Sequence, residues 1–273
     1  MGLRINQNTA AFNAYRNLTS TDTQMSKSLE KLSSGYRINR AADDAAGLSI
    51  SENLRSKVGG FKVAQRNAQD GISLVQTAEG ALGEVHSLLQ RVRDLAVQSA
   101  NTGANDQDSR DAAQSEVDAA MAEIDRIAQA TVYGSKQLLN SDSQSFSFQV
   151  GASGDDYNQI SVTVNSMKTD GLGLNTVSVS GGGTAAIATI DAAIKEVSEQ
   201  RSDLGAVQNR LEHTLNNLGV SVENLSAAES RIRDTDMASQ MVEFTRSQIL
   251  SQAGTSMLSQ ANQSSQNVLS LLR

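Results

Sequence analysis

Apolar residues recur at alternating intervals of three and four positions along most of the chain. One array covers residues 61–96, and a second, interrupted by three polar residues, covers residues 187–232. A shorter array at 113–131 follows the turn-forming sequence NTGAND. This spacing is typical of helices that bury one stripe against a neighbouring helix. It predicts a mainly α protein in which helices over 58–100 and 107–131 pack with a third long helix as an antiparallel bundle or coiled coil.

The hydrophobic period changes to two between the long arrays. FSFQV (146–150) and ISVTV (160–164) alternate strictly, which predicts two β-strands joined by the loop GASGDDYN. VSVSGGG (177–183) is predicted as a further short, strand-like piece that ends in a flexible glycine run. Residues 140–183 are therefore expected to form a small β-hairpin insert, which we interpret as a surface decoration of the helical body.

Both ends of the chain are also amphipathic. The helical spacing continues at 11–36 and at 237–272, and non-periodic stretches at 37–47 and 231–236 separate these ends from the bundle. An isolated amphipathic helix is marginally stable in water unless another surface covers its apolar face. We therefore predict that the two terminal helices pair with each other and then with other copies of the chain.

These boundaries divide the chain into two predicted domains. Residues 1–44 and 236–273 form a terminal coiled-coil domain, and residues 45–235 form a helical-bundle domain that carries the hairpin insert. The composition agrees with long helices, because the chain contains no proline to interrupt them. It also contains no tryptophan and only 3% aromatic residues, so narrow aliphatic seams are expected rather than a thick core.

Net charge, apolar run length and the lack of cysteine exclude several classes of partner and chemistry. The net charge of −7 argues against nucleic acid or an anionic membrane as the main partner. No apolar run approaches the roughly 20 residues of a membrane span. The first residues, MGLRINQNTAAFNAYRN, lack the apolar segment of a cleaved secretory signal, so any secretion is expected to leave them in place. The absence of cysteine excludes disulfides and cysteine-based chemistry.

Catalytic chemistry has little support in the sequence. His86 and His213 are the only histidines, and Glu84 lies two positions from His86, on a different face of a helix. The glycine run at 181–183 lacks the lysine and helix entry of a phosphate-binding loop. We expect no enzyme activity, no cofactor and no metal.

Charges of both signs mark the two non-periodic stretches. They suit a connector whose cross-pairs fix the angle between the two domains, and the alternative is a run of solvated charges, each exposed pair worth about 0–1 kcal/mol. Both interpretations stay open. The residues are Arg37, Arg40, Asp43 and Asp44 in the first stretch, and Arg231, Arg233, Asp234 and Asp236 in the second.

Four segments carry a resemblance to one family, the bacterial flagellins. They are LRINQNTAAFNAYRNL, SLEKLSSGYRINRAADDAAGLSISENLR, NAQDGISLVQTAEGALGEVHSLLQRVRDLAVQSANTG and SQILSQAGTSMLSQANQSSQNVLSLLR. Together they lie within about the first 140 and last 90 residues, and the short middle makes the chain similar to a minimal flagellin with inner and helical domains only. Two departures are Ser264–Ser265, where many members have proline, and a turn at 101–106 that is one residue longer than in some members.

The resemblance implies a structural subunit of the flagellar filament, a hollow helical tube for swimming motility. The terminal segments would pair and line the tube, and they would be largely disordered before assembly. The resemblance also implies export without a cleaved signal peptide through the type III export apparatus, an export chaperone on the C-terminal helix, and an extracellular location beside filament cap and hook-associated proteins. The implied inter-subunit core is Tyr15, Leu18, Met25, Leu29, Leu32, Leu258, Val268, Leu269, Leu271 and Leu272.

One surface of the bundle carries a further implication. The sequence LQRVRDLAVQ (89–98) is similar to the flagellin surface recognised by a Toll-like receptor of animal hosts. Matching by motif, the central residues would be Arg91, Leu95 and Glu116. The alternative interpretation, which we favour, is a contact between subunits on the same patch.

Two other functions compete with the filament subunit. A flagellar hook-filament junction protein shares the terminal heptads, but usually diverges in DDAAGLSI and QAGTSMLSQAN, which are intact here. A generic coiled-coil scaffold explains the heptads but not the hairpin, and it predicts a soluble oligomer of fixed size.

Overall fold

The computed structural model describes residues 7–141, 143–181 and 183–271, with side chains up to residue 264. The chain forms two compact units, one from Met1–Ser56 with Asn224–Arg273 and the other from Lys57–Glu223. The helices are α1 (Thr9–Ser34), α2 (Ala45–Ala100), α3 (Gln107–Ala130), α4 (Thr184–Arg233) and α5 (Met237–Leu271). The predicted mainly α class is confirmed, and no described helix is long and apolar enough to cross a membrane.

The second unit is built on the predicted helical bundle. Arg93 of α2 pairs with Asp191 of α4, and Glu79 of α2 lies beside Arg201 of α4, so the two helices run in opposite directions. The predicted stripes provide much of the core, because many of their aliphatic side chains are fully or almost fully buried. The largest of these are Leu82, Leu89, Ile124, Ile190, Leu204 and Leu211.

Local sequence explains where the shorter helices begin and end. Asp106 caps α3, since its Oδ1 accepts a hydrogen bond from the backbone N–H of Ser109 at 2.9 Å. Asn8 caps α1 in the same way through the N–H of Ala11. At the other end of α1, Gly35 has a φ of +75°, the left-handed conformation that terminates helices and favours glycine.

The predicted hairpin is confirmed in the second unit. A small turn brings β1 (Val132–Tyr133) beside β2 (Lys136–Gln137). The main hairpin pairs β3 (Gln144–Gln149) antiparallel with β4 (Gln159–Val164). Every second residue of β4 is buried, as the strict alternation of ISVTV predicts.

The strand predicted at 177–183 was wrong. A short 3₁₀ turn, Leu174–Thr176, is followed by irregular chain through the described residues up to 181. Val177 and Val179 are nevertheless buried in the bundle core. Their alternation therefore reflects packing of an irregular segment onto helices rather than pairing with another strand.

In the first unit, α1 and α5 pack as an antiparallel pair. The Nδ2 of Asn8 donates to the carbonyl of Ala261 at 3.0 Å, and Leu18 lies against Gly254. Buried side chains are few in the described part of this unit, and Ile38 is the largest of them. The first unit therefore has a narrow helical seam in place of a thick core.

Candidate functional site

The first unit exposes many large apolar side chains, and we call this set the terminal face. Its members are each between 50% and 71% exposed. On α1 they are Phe12, Tyr15 and Leu29, and on α5 they are Met241, Val242, Ile249, Leu250 and Met257. Large exposed apolar surface on a soluble chain usually marks an interaction site.

The geometry of α5 explains why these residues stay outside. Phe244, Ser247 and Gly254 lie on the side of α5 that is less exposed or buried, facing α1. Ile249 and Leu250 are adjacent in sequence, so one stripe facing α1 cannot bury both. With Met241 and Val242, together with Thr245 and Arg246, they line a shallow, strongly apolar groove of about 460 Å³.

The structure separates the predicted inter-subunit residues into two groups. Tyr15 and Leu29 are 62% and 57% exposed and belong to the terminal face. Four others are half-buried within the first unit: Leu18, Met25, Leu32 and Leu258. The side chains of Val268, Leu269 and Leu271, and the whole of Leu272, lie outside the described residues.

Sequence reasoning missed most of the terminal face on α5. It assigned one apolar stripe to each terminal helix, whereas the sequence EFTRSQIL (243–250) places apolar residues on more than one side. Adjacent apolar pairs such as Ile249 and Leu250 were the available signal, because they require a second covered surface. Phe12 has the same meaning on α1, since it lies outside the predicted stripe.

The two charged stretches meet through their backbones. The N–H of Arg37 donates to the carbonyl of Arg233 at 2.7 Å, and the N–H of Thr235 donates to the carbonyl of Gly35 at 3.0 Å. These bonds flank an antiparallel bridge between Tyr36 and Asp234. The structure therefore brings residues 35–37 and 233–235 together as a short two-stranded contact within the first unit.

Arg40 and Arg233 pair with residues outside the two stretches, whereas Arg37 reaches across to the second stretch. Arg233 forms an ion pair with Glu52 at 2.6 Å, and its guanidinium lies 4.9 Å from the ring centre of Tyr36. Arg40 pairs with Glu30 at 3.0 Å. The guanidinium of Arg37 donates to the carbonyl of Ile232 at 2.7 Å. Arg231 is exposed.

The carboxylates of the two stretches accept local hydrogen bonds. The backbone N–H groups of Arg40 and then Asn39 lower the pKa of Asp43 below its ordinary value. Asp44 accepts from the N–H of Gly47 at 2.8 Å. Asp234 accepts from the hydroxyl of Ser230 at 2.6 Å, and Asp236 accepts from the N–H groups of Ala238 and Ser239 at the start of α5. In the described residues, the two stretches are joined by backbone hydrogen bonds and by the hydrogen bond from the Arg37 guanidinium. No ion pair between a charge of one stretch and a charge of the other joins these residues.

Of the three residues predicted for the patch around Arg91, two are exposed and one is buried. Two nitrogens of the Arg91 guanidinium, Nη2 and Nε, contact Oε1 of Glu116 at 2.5 and 2.7 Å. Leu95 is 3% exposed and belongs to the core of the second unit. The structure thus brings Arg91 and Glu116 together on the surface and places Leu95 inside, because α2 buries a broader face than its predicted seam.

The two histidines have ordinary surroundings. The Nε2 of His86 lies 2.9 Å from the amide nitrogen of Gln90, one helical turn away. His213 is exposed on α4. Within the described ranges, no group of three or more His, Cys, Asp or Glu side chains is arranged to hold a metal ion.

The chain combines a long helical bundle with a pair of terminal helices whose apolar face is exposed. This arrangement is typical of a structural protein that associates through its terminal helices. Comparison with known proteins gives the family. A model described as the bacterial flagellin N-terminal helical region matches residues 5–144, and one described as the bacterial flagellin C-terminal helical region matches residues 187–272. The chain belongs to the bacterial flagellin family.

Curated flagellins are similar to this chain over nearly their whole length. The chain is 48% identical to a flagellin of Bacillus subtilis (strain 168) over an alignment of 306 positions, which covers 99% of this chain and 100% of the relative. It is 50% identical to a flagellin of Halalkalibacterium halodurans over 271 residues, with 98% and 99% coverage. It is 45% identical to the flagellar filament 33 kDa core protein of Treponema phagedenis over 287 residues, again with 98% and 99% coverage. With 273 residues, the chain is a short flagellin and a structural subunit of the bacterial flagellar filament.

Proposed function

We propose that the terminal face is the inter-subunit core of the filament. The observation that supports this is the exposure of Phe12, Ile249 and Met257, which are 71%, 62% and 64% exposed. Fully burying one such side chain is worth about 1.5–3 kcal/mol, so covering several of them supplies a strong drive for association. The face spans both α1 and α5, which explains why both ends of the chain take part in assembly.

The same face explains why assembly is open-ended. The covering surface on a neighbouring copy need not be the same patch, and a contact between different patches that does not close into a ring produces a helical filament. In the separate chain the terminal segments would remain largely unfolded, because α1 and α5 bury little apolar surface by themselves. Their ordering would then accompany the arrival of neighbouring subunits.

Export follows from the same exposure. Before assembly, an apolar C-terminal helix needs a partner, which suits an export chaperone on α5. We further propose passage through the type III export apparatus with the N-terminus uncleaved, an extracellular location in the filament, and contact with cap and hook-associated proteins at the filament ends. The role is structural rather than catalytic.

The remaining predicted sites take roles within this proposal. Residues 1–44 with 236–273 are the inner domain and residues 45–235 the helical domain. The stretches at 37–47 and 231–236, whose backbones meet at residues 35–37 and 233–235, are the connector. The Arg91–Glu116 ion pair, whose side chains are 58% and 48% exposed, is proposed as a subunit contact. Recognition of that pair by a host Toll-like receptor is the alternative use of the same patch.

Seeded polymerisation tests the proposal. The full chain and a copy lacking residues 258–273 are mixed with filament seeds and followed by sedimentation and electron microscopy. We expect long tubes of uniform diameter from the full chain and none from the shortened one. Far-UV circular dichroism is the control, because the core of the second unit comes from residues 57–223 and should melt alike in both.

The other outcomes separate the competing functions. A small oligomer of fixed size from both chains would contradict the proposed interface and indicate a coiled-coil scaffold. Short, capped assemblies from the full chain would instead favour the hook-filament junction protein.

A further inference from the structure

The seam between α1 and α5 contains polar and small residues where most helical pairs have leucine. On the least exposed side of α1, small or polar residues alternate with larger apolar ones, and the facing side of α5 is similar. On α1 the residues are Ala11, Ala14, Leu18, Thr21, Met25, Ser28 and Leu32, and on α5 they are Gln240, Phe244, Ser247, Ser251, Gly254, Leu258 and Ala261. Apolar burial alone therefore distinguishes weakly between one alignment of these helices and another.

Two side-chain hydrogen bonds cross this seam. The hydroxyl of Ser251 donates to the Asp22 carboxylate at 3.0 Å. The amide of Gln240 donates to the hydroxyl of Ser28 at 2.8 Å, and Ser28 is only 6% exposed. The two bonds join different turns of each helix, so both can form together in only one alignment.

A slip of one heptad breaks both bonds. If α5 moved by seven residues in one direction, Asp22 would lie opposite Leu258 and Ser28 opposite Ser247. In the other direction, Asp22 would lie opposite Phe244, and Ser28 would lie beyond the first residue of α5. Asp22 is exposed at the edge of the seam, so either slip leaves its carboxylate beside an apolar side chain without the hydrogen bond from Ser251. A polar residue at a helical seam is a known means of fixing register.

We propose that the Asp22–Ser251 and Ser28–Gln240 hydrogen bonds form a register lock, which holds α1 and α5 in a single alignment. The lock also aligns the α1 and α5 parts of the terminal face with each other. That consequence rests on the proposed role of the terminal face in assembly, whereas the lock itself concerns the pairing of two helices within one chain.

The chain offers a direct reporter of register, because it contains no cysteine. A Cβ built on Gly254 lies 3.8 Å from the Cβ of Leu18, the separation found in disulfides. L18C with G254C therefore reports the native register, and the L18C substitution also removes the Leu18 Cδ1 that would crowd the new Cβ of residue 254. L18C with A261C reports the alignment slipped by one heptad.

The lock is removed by making all four of its residues leucine: D22L, S28L, Q240L and S251L. With the lock present, we expect the native crosslink to exceed the slipped one by at least about tenfold, because the slipped alignment loses two hydrogen bonds, one of them to a charged group. Without it, the two yields should approach each other. The matched control D22N retains an oxygen that accepts from Ser251 and should keep the native preference.

Crosslinks are measured in seeded filaments and in the soluble chain. In the soluble chain, where the terminal segments are largely unfolded, the disulfide traps the alignment in which they transiently pair, so a variant that does not assemble still reports its register. On a non-reducing gel, a crosslink within one chain leaves the monomer mass, whereas one between copies gives a dimer. An unchanged native preference in the four-leucine variant would overturn the register lock. Failure of the unaltered chain to form filaments would instead contradict the proposed inter-subunit interface. The ratio of native to slipped crosslinks in the soluble chain would still test the register lock.

Discussion

Replacing one residue of the terminal face should weaken assembly without affecting the fold of the subunit. Ile249 is suited to this test, because it is 62% exposed and lines the apolar groove of α5. In Ile249→Ser the exposed hydrocarbon is lost, while helix propensity barely changes, since isoleucine and serine rank together in helices. The variant therefore separates the interface from the stability of α5.

The expected magnitude follows from the exposed fraction of the side chain. Complete burial of isoleucine contributes about 1.5–3 kcal/mol. With 62% of the side chain still to be covered on assembly, the loss is about 1–2 kcal/mol per subunit added. The critical concentration for filament growth should then rise by about 5–30-fold.

The critical concentration is measured by sedimenting seeded mixtures over a range of subunit concentrations. Ile249→Leu retains the apolar area and should stay close to the unaltered chain. Circular dichroism melting checks that the second unit is unaffected. If Ile249→Ser assembled at the original critical concentration while both controls behaved as expected, the groove would not be covered in the filament, and our account of the terminal face would fail at this residue.

Three further predictions concern the second unit. Ile124 is fully buried, so Ile124→Ala should lower the free energy of unfolding by about 2–5 kcal/mol, measured by urea denaturation. Gln200 joins α4 to the end of β4 through two hydrogen bonds, so Gln200→Leu should lower it by about 1–3 kcal/mol, whereas a stable variant would show that these backbone groups find other partners. Hydrogen bonds from Ser153 and then Tyr157 lower the pKa of Asp155, so they favour the folded state above the unfolded pKa and are lost as the pH falls through the folded pKa. Tyr157→Phe should move the Asp155 midpoint upward in an NMR titration, and an unchanged midpoint would assign the shift to Ser153 alone.

Much of the fold follows from periodicity, since a stripe that repeats over many turns leaves little choice of structure. The bundle helices and the hairpin strands were predicted for this reason. The segment at 177–181 was not, because Val177 and Val179 alternate like a strand, whereas none of the described strands pairs with them. Alternating apolar residues show that a segment packs on a core. Whether the segment is a strand depends on the hydrogen bonds that its backbone makes, which the sequence does not reveal.

The candidate site was less accessible to sequence reasoning than the fold. An apolar residue gives the same signal whether its own chain or another copy covers it, so Tyr15 and Leu18 looked equivalent although only Leu18 packs inside the first unit. Leu95 shows the opposite error, because it is buried where a surface contact was expected. The missing information is the direction of each side chain around its helix, which depends on where the neighbouring helix lies.

The two helices of the terminal pair, α1 and α5, lie at opposite ends of the sequence, and this affects the order in which the chain folds. Asn8 and Ala261 are hydrogen-bonded although they lie 253 positions apart, whereas the second unit is built from residues 57–223 alone. Closing a chain loop of that length carries an entropic penalty that must be met before the contacts of the terminal helices form. Once residues 57–223 have folded, most of the loop is already ordered, and only short flanking segments have to be brought together. The ends should therefore fold last, and only after the final helix has been synthesised.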